Sequence, residues 1–569
     1  MPRERARGKF RWANGAGWFM VARPVHPPAL LTEPAPRPPL VAAGRGGRWP
    51  VRLAMLAAFA LTLFLGTRHN DFPAEYGPDE PAKIAQIVSG QRDFHHPPLM
   101  LTLTRAALDL RSAGAQPAPG QVARTGRWIS ALALALAAAA LTWLAGEYGG
   151  PAGACAAAAA LGTDAQAVLA AHFFKEDALF ALGYALTLAA GARHWQRRRP
   201  ATLLALGASA GLAVAAKYVG ALAVLHALVL AAWAAVPAGN AAETSTRSRW
   251  TRRARAAGVC ALVAAAVFLL LNGVPLAGHL AEWWRGVRLG VDVSRHGNQA
   301  VGARVPHLAF WGMFLLFTPL PVMAGAIAFL ARFFRRRPIH AHADRWLLAL
   351  APWWLLAVFS FSASTAVRYF LPVSLALDAA AGAAWPGLAR GLLQTWATRR
   401  AHPVPPRWVN AATWAAPCFL LLLWGLPGAW RMAEGFGHDD RAALRTWIAQ
   451  HLPPGATVAE DARAQLEQSP GANPPSLLQT VLTQTAVADL GDVAALRARG
   501  VVAVVVCWYD SRRYVDPSKR PSKGAAADYA RRRAFYLSLP KEARLAWKSE
   551  LRQPYVTRPG LELYLLDPR

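Results

Sequence analysis

The chain has 569 residues, of which 54% are hydrophobic and 17% are charged, whereas a soluble protein of this length carries about a quarter charged residues. Its 62 Lys and Arg outnumber its 32 Asp and Glu, which gives a formal net charge of +30. The basic residues fall in short clusters between long apolar runs. This is the positive-inside pattern of a membrane protein, and it argues against a soluble nucleic-acid-binding protein.

Residues 1–50 are rich in Arg, Pro and Gly and show no hydrophobic period. We predict a disordered basic cytoplasmic arm there, or an upstream start that is not translated. A spanning helix needs about twenty apolar residues, and about eleven runs of this kind follow, which predicts an α-helical polytopic domain over 51–431. The candidate spans lie near 51–67, 128–146, 151–172, 177–193, 201–217, 218–237, 257–275, 307–331, 345–361, 369–389 and 410–431.

The basic clusters set the predicted orientation. With the N-terminus inside, alternate loops are cytoplasmic, and these loops contain the arginines at 193–199, 247–255, 332–337 and 390–407. The opposite loops carry most of the acidic residues, and the first of them, 68–127, is long. An odd number of spans puts the C-terminus outside. We therefore predict a multi-pass protein of a bacterial inner membrane with a periplasmic C-terminal domain.

The composition changes after Trp430. Residues 432–569 contain charged and amphipathic stretches and one pure β-type run at 501–506, which is typical of a buried strand. Weaker strand candidates lie at 456–459 and 561–566. These patterns predict a small extracytoplasmic α/β domain. Cys507, Tyr509 and Asp510, next to the strongest strand, are interpreted as packing and loop residues.

The first external loop contains two adjacent carboxylates, Asp79 and Glu80. Such a pair offers a general base that takes a proton from an attacking hydroxyl or amine. Neighbouring like charges and partial burial are expected to raise the pKa of one of them toward the working pH. The alternative is an ordinary helix start, where acidic residues lie near the positive end of the helix dipole. The residues alone leave both interpretations open.

A second acidic pair, Glu176 and Asp177, lies at the outer end of the third predicted span. The alternative to a functional pair is a solvated helix end, because acidic residues at a membrane boundary cost little. Asp164 and Gln166 lie within the same Ala-rich run. Either they border a cavity, or the third helix is short and they sit at its mouth.

Several cations fall on the same outer side: Arg127, Lys217 before Tyr218, and Arg368 before Tyr369. The positive-inside rule does not explain outer cations. Singly, each could anchor the protein to lipid headgroups. As a set, they suggest a phosphate site, because cations stabilise the charge on a departing phosphate. The predicted loop at 276–306 adds aromatic and basic side chains, namely Trp283, Trp284, Arg285, Arg288, Arg295 and His296.

The combination resembles the GT-C glycosyltransferases that use polyprenyl-phosphate sugars, the superfamily of the protein O-mannosyltransferases and the lipid A aminoarabinose transferases (glycosyltransferase family 39-like). The resemblance covers roughly residues 50–390. It is carried by Asp79-Glu80, His96-Pro97-Pro98-Leu99, Lys175-Glu176-Asp177, Ala216-Lys217-Tyr218 and Arg368-Tyr369-Phe370-Leu371-Pro372. It implies a GT-C type membrane fold of about 11 helices, with an external cavity where a lipid-linked sugar meets its acceptor.

The resemblance also implies roles for individual residues. Asp79 becomes the catalytic base with Glu80 supporting it, and Asp177 or Glu176 orients the acceptor or a bound ion. The donor phosphate is held by Lys217 and Arg368, with help from Arg127 and His96, and the substrate loop contains Tyr218, His296 and Tyr369. His96 stands where the aminoarabinose branch carries a Lys, so donor contacts do not transfer directly.

Together with the external carboxylates, the resemblance implies a hexosyl- or pentosyltransferase that uses a polyprenyl-phosphate sugar and an external lipid, glycan or protein as acceptor. Lys and Arg could neutralise the released monophosphate, so no metal is required, and a divalent cation is left open. One alternative is a transporter or flippase of lipid-linked sugars, which needs mid-membrane ionisable residues and paired broken helices. Another is an assembly protein that works through residues 432–569.

Overall fold

The structure is a computed structural model, and it describes residues 48–569 except 74–76, 78, 113–115, 237–244, 297–300, 304–305, 336–342, 363–366, 401–404, 467–478, 522–523, 550–559 and 567–569. Residues 1–47 of the predicted basic arm lie outside the described residues. Residues 48–50 already belong to the first helix.

Helices make up most of the described residues between 48 and 435. In chain order the elements are α1 (Arg48–Thr67), α2 (Glu80–Ser89), α3 (Leu99–Ser112), α4 (Pro119–Gly162), α5 (Ala165–Ala171), α6 (Glu176–Arg197), α7 (Pro200–Ala216), α8 (Ala221–Ala234), α9 (Thr246–Leu276), α10 (Leu280–His296), β1 (Val301–Ala303), α11 (Pro306–Phe317), α12 (Leu320–Arg335), α13 (Ala343–Ser360), α14 (Leu371–Arg400) and α15 (Pro406–Gly435). Short 3-10 turns at Tyr218–Gly220 and Val367–Phe370 precede α8 and α14.

Two predicted spans differ from the helices that form. The third span was predicted to reach residue 172, but α4 ends at Gly162 and Asp164 caps the separate helix α5, accepting a hydrogen bond from the Ala167 amide at 2.8 Å. Of the two interpretations of Asp164, the structure therefore agrees with the one in which the third helix is short and Asp164 lies just beyond its end. The span predicted at 307–331 is broken into α11 and α12, which are bent by 108°.

The chain is a multi-pass helical membrane protein. By length and hydropathy, four of the described helices can each cross a bilayer, namely α1, α4, α9 and α15, and the bent pair α11–α12 makes a fifth. Shorter apolar helices lie at Pro200–Ala216, Tyr218–Ala234 and Leu348–Ser360. The number of eleven spans stays a prediction.

Helix α4 contains a sharp bend and packs closely on α14. Gly150 adopts φ of 67°, a left-handed conformation that glycine adopts without strain, and it separates the two arms of α4. On α14, Gly382 lies against the backbone of Ala157, where a Cβ atom would clash. Small residues of this kind let the backbones of membrane helices approach each other. The first half of α14, residues 371–384, is consequently buried in the bundle.

The two ends of the bundle differ in charge. The 22 residues of α6 span about 33 Å, close to the thickness of a bilayer core of about 30 Å. Glu176 and Asp177 begin this helix, and the arginine cluster at 197–199 follows its other end. Near that basic end, Gln196 donates a hydrogen bond to Glu147 at 3.3 Å. The acidic pairs and the arginines therefore lie on opposite sides of the bundle.

The C-terminal region is an α/β structure. Its elements are α16 (Asp440–His451), β2 (Thr457–Asp461), β3 (Thr480–Gln484), α17 (Val493–Ala498), β4 (Val501–Cys507), α18 (Trp508–Val515), β5 (Lys519–Pro521), α19 (Ala526–Glu542), β6 (Arg544–Lys548) and β7 (Leu561–Leu565). The main sheet has the order β3-β2-β4-β7-β6, with β2 parallel to β3 and β4. The strands predicted near 456–459, 501–506 and 561–566 are confirmed.

A strand pairing joins the C-terminal region to the loop before α11, and an ion pair joins the two membrane helices α1 and α15. Strand β1, within the predicted loop at 276–306, pairs antiparallel with β5, with Gly302 opposite Arg520. At the ends of α1 and α15, the Arg68 Nε atom lies 2.6 Å from the Glu434 carboxylate. Because strands pair only when both lie on one side of a membrane, the predicted loop and the C-terminal region share a side.

Asp461 ties the C-terminal region together from the end of β2. Its side chain is fully buried and accepts hydrogen bonds from the amides of Val487 and Cys507, at 2.7 and 2.8 Å, and from the Tyr536 hydroxyl at 2.7 Å. Burial, together with the nearby Asp510, raises the pKa of Asp461 to about 7. Cys507 is itself fully buried and Asp510 nearly so, in agreement with packing roles.

This buried carboxyl group gives a pH-dependent stability. Since its folded-state pKa lies above its ordinary value, the stability that Asp461 contributes is greatest at low pH and falls as the pH rises from about 4 to about 7. Asp461→Asn removes this titration. We expect the melting-temperature difference between wild type and variant to shrink between about pH 4.5 and about pH 7.5. A constant difference across this range would contradict the assignment.

Candidate active site

The predicted site residues lie where helices begin or end, at one end of the bundle. Asp79 and Glu80 begin α2, Glu176 and Asp177 begin α6, Lys217 follows α7, and Arg368 belongs to the turn before α14. Acidic residues in a first helical turn are favoured by the helix dipole, so these positions also suit local helix formation. The starts of α2, α6 and α14 and the end of α7 thus bring charged side chains to one end of the bundle.

Glu80 and Arg127 form a completely buried ion pair. Arg127 Nη2 lies 2.5 Å and Nε 3.2 Å from the two oxygens of Glu80. The remaining Arg127 donors bind the carbonyl oxygens of Asn70, Phe72 and Pro73. One Glu80 oxygen also accepts the Phe174 amide at 2.8 Å. These contacts use all five N–H groups of Arg127 within the described residues, so the pair clamps the first loop to α4.

The clamp predicts a large loss of stability when one partner is removed. Arg127→Leu leaves the buried Glu80 carboxylate unpaired, which costs about 3–5 kcal/mol. We expect the variant to lose most of its folded yield, measured by size-exclusion chromatography in detergent. Arg105→Leu is the matched control, because its pair with Asp109 on α3 is exposed and is worth under about 1 kcal/mol. Equal yields of the two variants would contradict the clamp.

Asp79 points away from Glu80 and pairs with a different cation. Its side chain makes no helix-capping hydrogen bond, and Asp79 Oδ2 lies 2.5 Å from Lys175 Nζ. The Asp79 side chain is 48% exposed, while Lys175 is 8% exposed. An ordinary capping role therefore does not account for Asp79, and its carboxylate is the one of the four that a substrate can reach most easily.

The expected rise in pKa within the Asp79–Glu80 pair is wrong for Asp79. Burial opposes its ionisation, but Lys175, Arg368 and Lys83 outweigh burial and hold the pKa of Asp79 well below its ordinary value. The sequence placed two carboxylates side by side, and the structure separates them, each with its own cation. Asp79 is consequently ionised throughout the neutral range.

Glu176 forms an ion pair with a lysine and lies near a histidine. Lys83 Nζ lies 2.6 Å from one Glu176 oxygen and donates a hydrogen bond to the Phe174 carbonyl at 3.0 Å. His96 Nε2 lies 4.0 Å from the other Glu176 oxygen. Burial, only partly offset by Glu176, lowers the pKa of His96 to about 4. His96 is therefore a neutral imidazole at physiological pH where it lies beside Glu176.

Asp177 pairs with the lysine that follows α7. Lys217 Nζ lies 2.6 Å from Asp177 Oδ1 and 5.2 Å from the centre of the Tyr369 ring. The Arg368 guanidinium carbon lies 5.5 Å from the same ring. Tyr369 thus has a cation from each of two elements near its ring. Both carboxylates that begin α6 are buried and ion-paired, so the solvated-helix-end interpretation is wrong.

The predicted substrate loop reaches the same region. The Tyr218 hydroxyl donates a hydrogen bond to the Phe94 carbonyl at 3.0 Å, and its ring lies 6.4 Å from Trp283 of α10. Helix α10 also lies close to Phe94 at Gly286. His296 ends α10, and its side chain lies outside the described part of the chain. Tyr218 therefore connects α10 to the loop that carries His96.

Cations outnumber carboxylates in this cluster. Among the described residues it contains five lysine and arginine side chains and four carboxylates, with His96 neutral, which is a formal excess of one cation. Burial, together with Arg368, lowers the pKa of one of these cations, Lys175. The cations are Lys83, Arg127, Lys175, Lys217 and Arg368, and the carboxylates are Asp79, Glu80, Glu176 and Asp177. A site of this charge favours an anionic ligand, such as a phosphodiester.

A metal site would have to draw on the same carboxylates. No group of three or more His, Cys, Asp or Glu side chains with metal-binding geometry occurs in the part of the chain that the structure describes. Each of the four carboxylates is bound by a lysine or an arginine. Asp79 is the most exposed of them, so it is the residue best placed to contact a divalent cation.

Two lysines of the cluster were not selected from the sequence as site residues. Lys83 follows Glu80 by three positions on α2, and Lys175 immediately precedes Glu176. Side chains three or four positions apart on a helix lie on one face, which was an available signal for Lys83. The pairing of Lys175 with Asp79 joins residues far apart in the chain, and no local pattern indicates it.

One protein family matches part of the chain. Residues 95–271 match the family described as dolichyl-phosphate-mannose-protein mannosyltransferase. The matched region contains His96, Arg127, Lys175, Glu176, Asp177 and Lys217. The predicted resemblance to the GT-C glycosyltransferases is confirmed by this match. No curated protein is significantly similar to the chain in sequence.

Several solved structures are similar to the chain at low sequence identity. ArnT from Cupriavidus metallidurans bound to undecaprenyl phosphate is 17% identical with a TM-score of 0.46, and the match covers 93% of this chain and 100% of that one. The Archaeoglobus fulgidus oligosaccharyltransferase AglB, in complex with an inhibitory peptide and a dolichol-phosphate, is 13% identical with a TM-score of 0.48, covering 82% and 71%. The S. cerevisiae protein O-mannosyltransferase complex bound to the sugar donor is 17% identical with a TM-score of 0.32, covering 41% and 34%.

Proposed function

We propose that the chain is a membrane glycosyltransferase that moves a hexosyl or pentosyl group from a polyprenyl-phosphate donor to an external lipid, glycan or protein. The observation that carries this proposal is the gathering of Asp79, Asp177, Lys217 and Arg368 at one end of the bundle. The charged cluster around these four side chains, called the pocket below, has more cations than carboxylates and one accessible carboxylate. Such a cluster suits a phosphate-bearing donor and a nucleophilic acceptor. The family match over 95–271 supports a lipid-phosphate sugar as the donor.

In the proposed reaction Asp79 takes the proton from an acceptor hydroxyl or amine. The acceptor oxygen or nitrogen then bonds to the anomeric carbon, and the bond between that carbon and the phosphate oxygen breaks. Polyprenyl phosphate leaves with the electron pair of the broken bond. Lys217 and Arg368 neutralise the charge that develops on the departing phosphate. No step of this scheme requires a metal, and the scheme is also compatible with a divalent cation bound at Asp79.

The other predicted site residues take supporting roles. We assign Arg127 and Glu80 to the clamp described above, since the clamp uses the donors of Arg127. Asp177 fixes the position of Lys217, and Glu176 does the same for Lys83. His96, neutral beside Glu176, offers a hydrogen bond to the donor or acceptor rather than a positive charge. Tyr218 lies beside this cluster near Trp283 of α10, and Tyr369 lies beside it near Lys217.

We propose that this pocket faces the periplasm of a bacterial inner membrane, with the N-terminus in the cytoplasm. The arginine-rich ends of the helices lie on the opposite side from the pocket, and the positive-inside rule puts such ends in the cytoplasm. A cysteine at the exposed position Ser89 of α2 tests this orientation. In intact spheroplasts, Ser89→Cys should react with a membrane-impermeant maleimide, and protection until lysis would reverse the orientation.

The reaction itself is tested with purified full-length protein and a panel of radiolabelled polyprenyl-phosphate sugars. With a membrane extract as the source of acceptors, the label should move from at least one donor to an acceptor. Failure of folded protein to transfer any sugar of the panel, with bound polyprenyl phosphate undetectable, would contradict the proposal.

The transporter alternative has one structural feature in its favour. Asp378 is buried within α14, and Ser374 on the same helix donates a hydrogen bond to Asp164, so polar groups do lie inside the bundle. A flippase would move lipid-linked sugar across vesicles without cleaving it. If Asp79→Asn leaves this translocation intact while it blocks sugar transfer, the transporter alternative fails. Loss of sugar transfer in the same variant would assign transfer, and not translocation, to the pocket.

A further inference from the structure

Lys175 holds the proposed base in an uneven ion pair. Its Nζ atom lies 2.5 Å from Asp79 Oδ2, and its side chain is buried while that of Asp79 is nearly half exposed. The lysine reaches the pair from the backbone that begins α6. Asp79 belongs to the first loop. The contact therefore joins a buried cation to a carboxylate that is open on one side.

Other charges surround Lys175. Asp79 from α2 and Asp177 from α6 attract it, and Arg368 from the turn before α14 repels it. Asp79 in turn faces Lys175, Arg368 and Lys83. Two cations, Lys175 and Arg368, thus interact unfavourably near one carboxylate. An anion that enters between them would remove this repulsion and compete with Asp79 for the lysine.

We propose that Lys175 is shared between Asp79 and the phosphate of the donor, so that donor binding loosens the ion pair and frees Asp79 to accept the acceptor proton. This inference rests on the proposed function and adds an order of events to it. A carboxylate held by a lysine is a weak base, whereas one released from it accepts a proton more readily. Lys175 acts through Asp79 and is a positioning residue.

A double-mutant cycle on binding tests the sharing without relying on sugar transfer. The probe is undecaprenyl phosphate, titrated into full-length protein in nanodiscs that lack this lipid. If Asp79 and the phosphate compete for Lys175, Asp79→Asn should bind the probe about tenfold more tightly than wild type. In a Lys175→Met background the same Asp79→Asn change should improve binding only about twofold. This residual gain comes from removing the repulsion between the Asp79 carboxylate and the phosphate of the probe.

Controls separate sharing from general charge effects and from misfolding. Asp109→Asn and Lys548→Met remove exposed charges that form ion pairs away from the pocket, and they should leave the affinity unchanged. In a Lys175→Arg background, which keeps the positive charge, Asp79→Asn should again tighten binding of the probe about tenfold. If Lys175→Met fails to fold, Lys175→Gln completes the cycle.

The outcomes distinguish this inference from the proposed function. Tight binding by wild type, with no gain in Asp79→Asn or with equal gains in both Lys175 backgrounds, would overturn the sharing and leave the glycosyltransferase proposal intact. Absence of probe binding by folded wild type would contradict both. A gain that depends on Lys175 would support the sharing.

Discussion

Asp79→Asn is expected to lower the rate of sugar transfer by about 10³-fold, because removal of a general base costs about 10²–10⁴-fold. Asn has nearly the shape of Asp but cannot take the proton of the acceptor. The fold should survive, because Asp79 is half exposed and the variant keeps the buried Glu80–Arg127 pair. The measurement is the single-turnover rate with saturating radiolabelled donor in the purified protein.

The matched control for this variant is Asp109→Asn. Asp109 is an exposed carboxylate on α3 that pairs with Arg105, so its replacement removes the same charge outside the pocket. It should transfer sugar at the wild-type rate. If Asp79→Asn kept a rate within about threefold of Asp109→Asn, the base would have to be another residue, and Asp177 would be the first to test.

Arg368→Met is expected to lower kcat/KM for the lipid-linked donor by about 10²-fold, since removing one group that stabilises developing charge costs about 10²–10³-fold. The guanidinium lies near the Tyr369 ring and acts on Asp79, Lys175 and Asp177. Arg368 is preferable to Lys217 for this test, because loss of Lys217 would also leave the buried Asp177 unpaired. Arg368→Lys should recover part of the activity.

This prediction also separates a phosphate site from lipid anchoring. Arg431 is an exposed cation near the end of α15, on the side of the bundle where Arg68 contacts Glu434. Arg431→Met removes an equal charge and should change kcat/KM by less than about twofold. Similar losses in both variants would show that outer cations act by holding the membrane surface and not the donor phosphate.

The apolar runs predicted most helices because hydropathy is a local property of the chain. The strand at 501–506 forms as predicted for the same reason, since a run of five Val and one Ala favours a buried strand. The breaks were harder to predict. The run at 307–331 is apolar throughout, yet it forms two helices bent by 108°, and the run that was predicted to reach residue 172 stops at Gly162.

The sequence also indicated which charged residues gather at the site, but not how they pair. Order along the chain and a common side of the membrane brought Asp79, Asp177, Lys217 and Arg368 together in the prediction. The pairings Glu80–Arg127 and Lys83–Glu176 join different loops and helices, and the sequence contains no information on which cation reaches which carboxylate. The pKa of Asp79 is lowered by the cations that reach it, Lys175 first, and because the sequence does not indicate this pairing, the expected rise in pKa is wrong for Asp79.

The central claim is that Lys217 and Arg368 form the phosphate site of a pocket that also presents Asp79. A structure of the full-length protein in nanodiscs with bound undecaprenyl phosphate tests it most directly. The account predicts the phosphate in direct contact with the Lys217 ammonium and the Arg368 guanidinium, on the side of the bundle where α2 and α6 begin. A phosphate bound at the arginine-rich opposite end, with this pocket unoccupied, would contradict it.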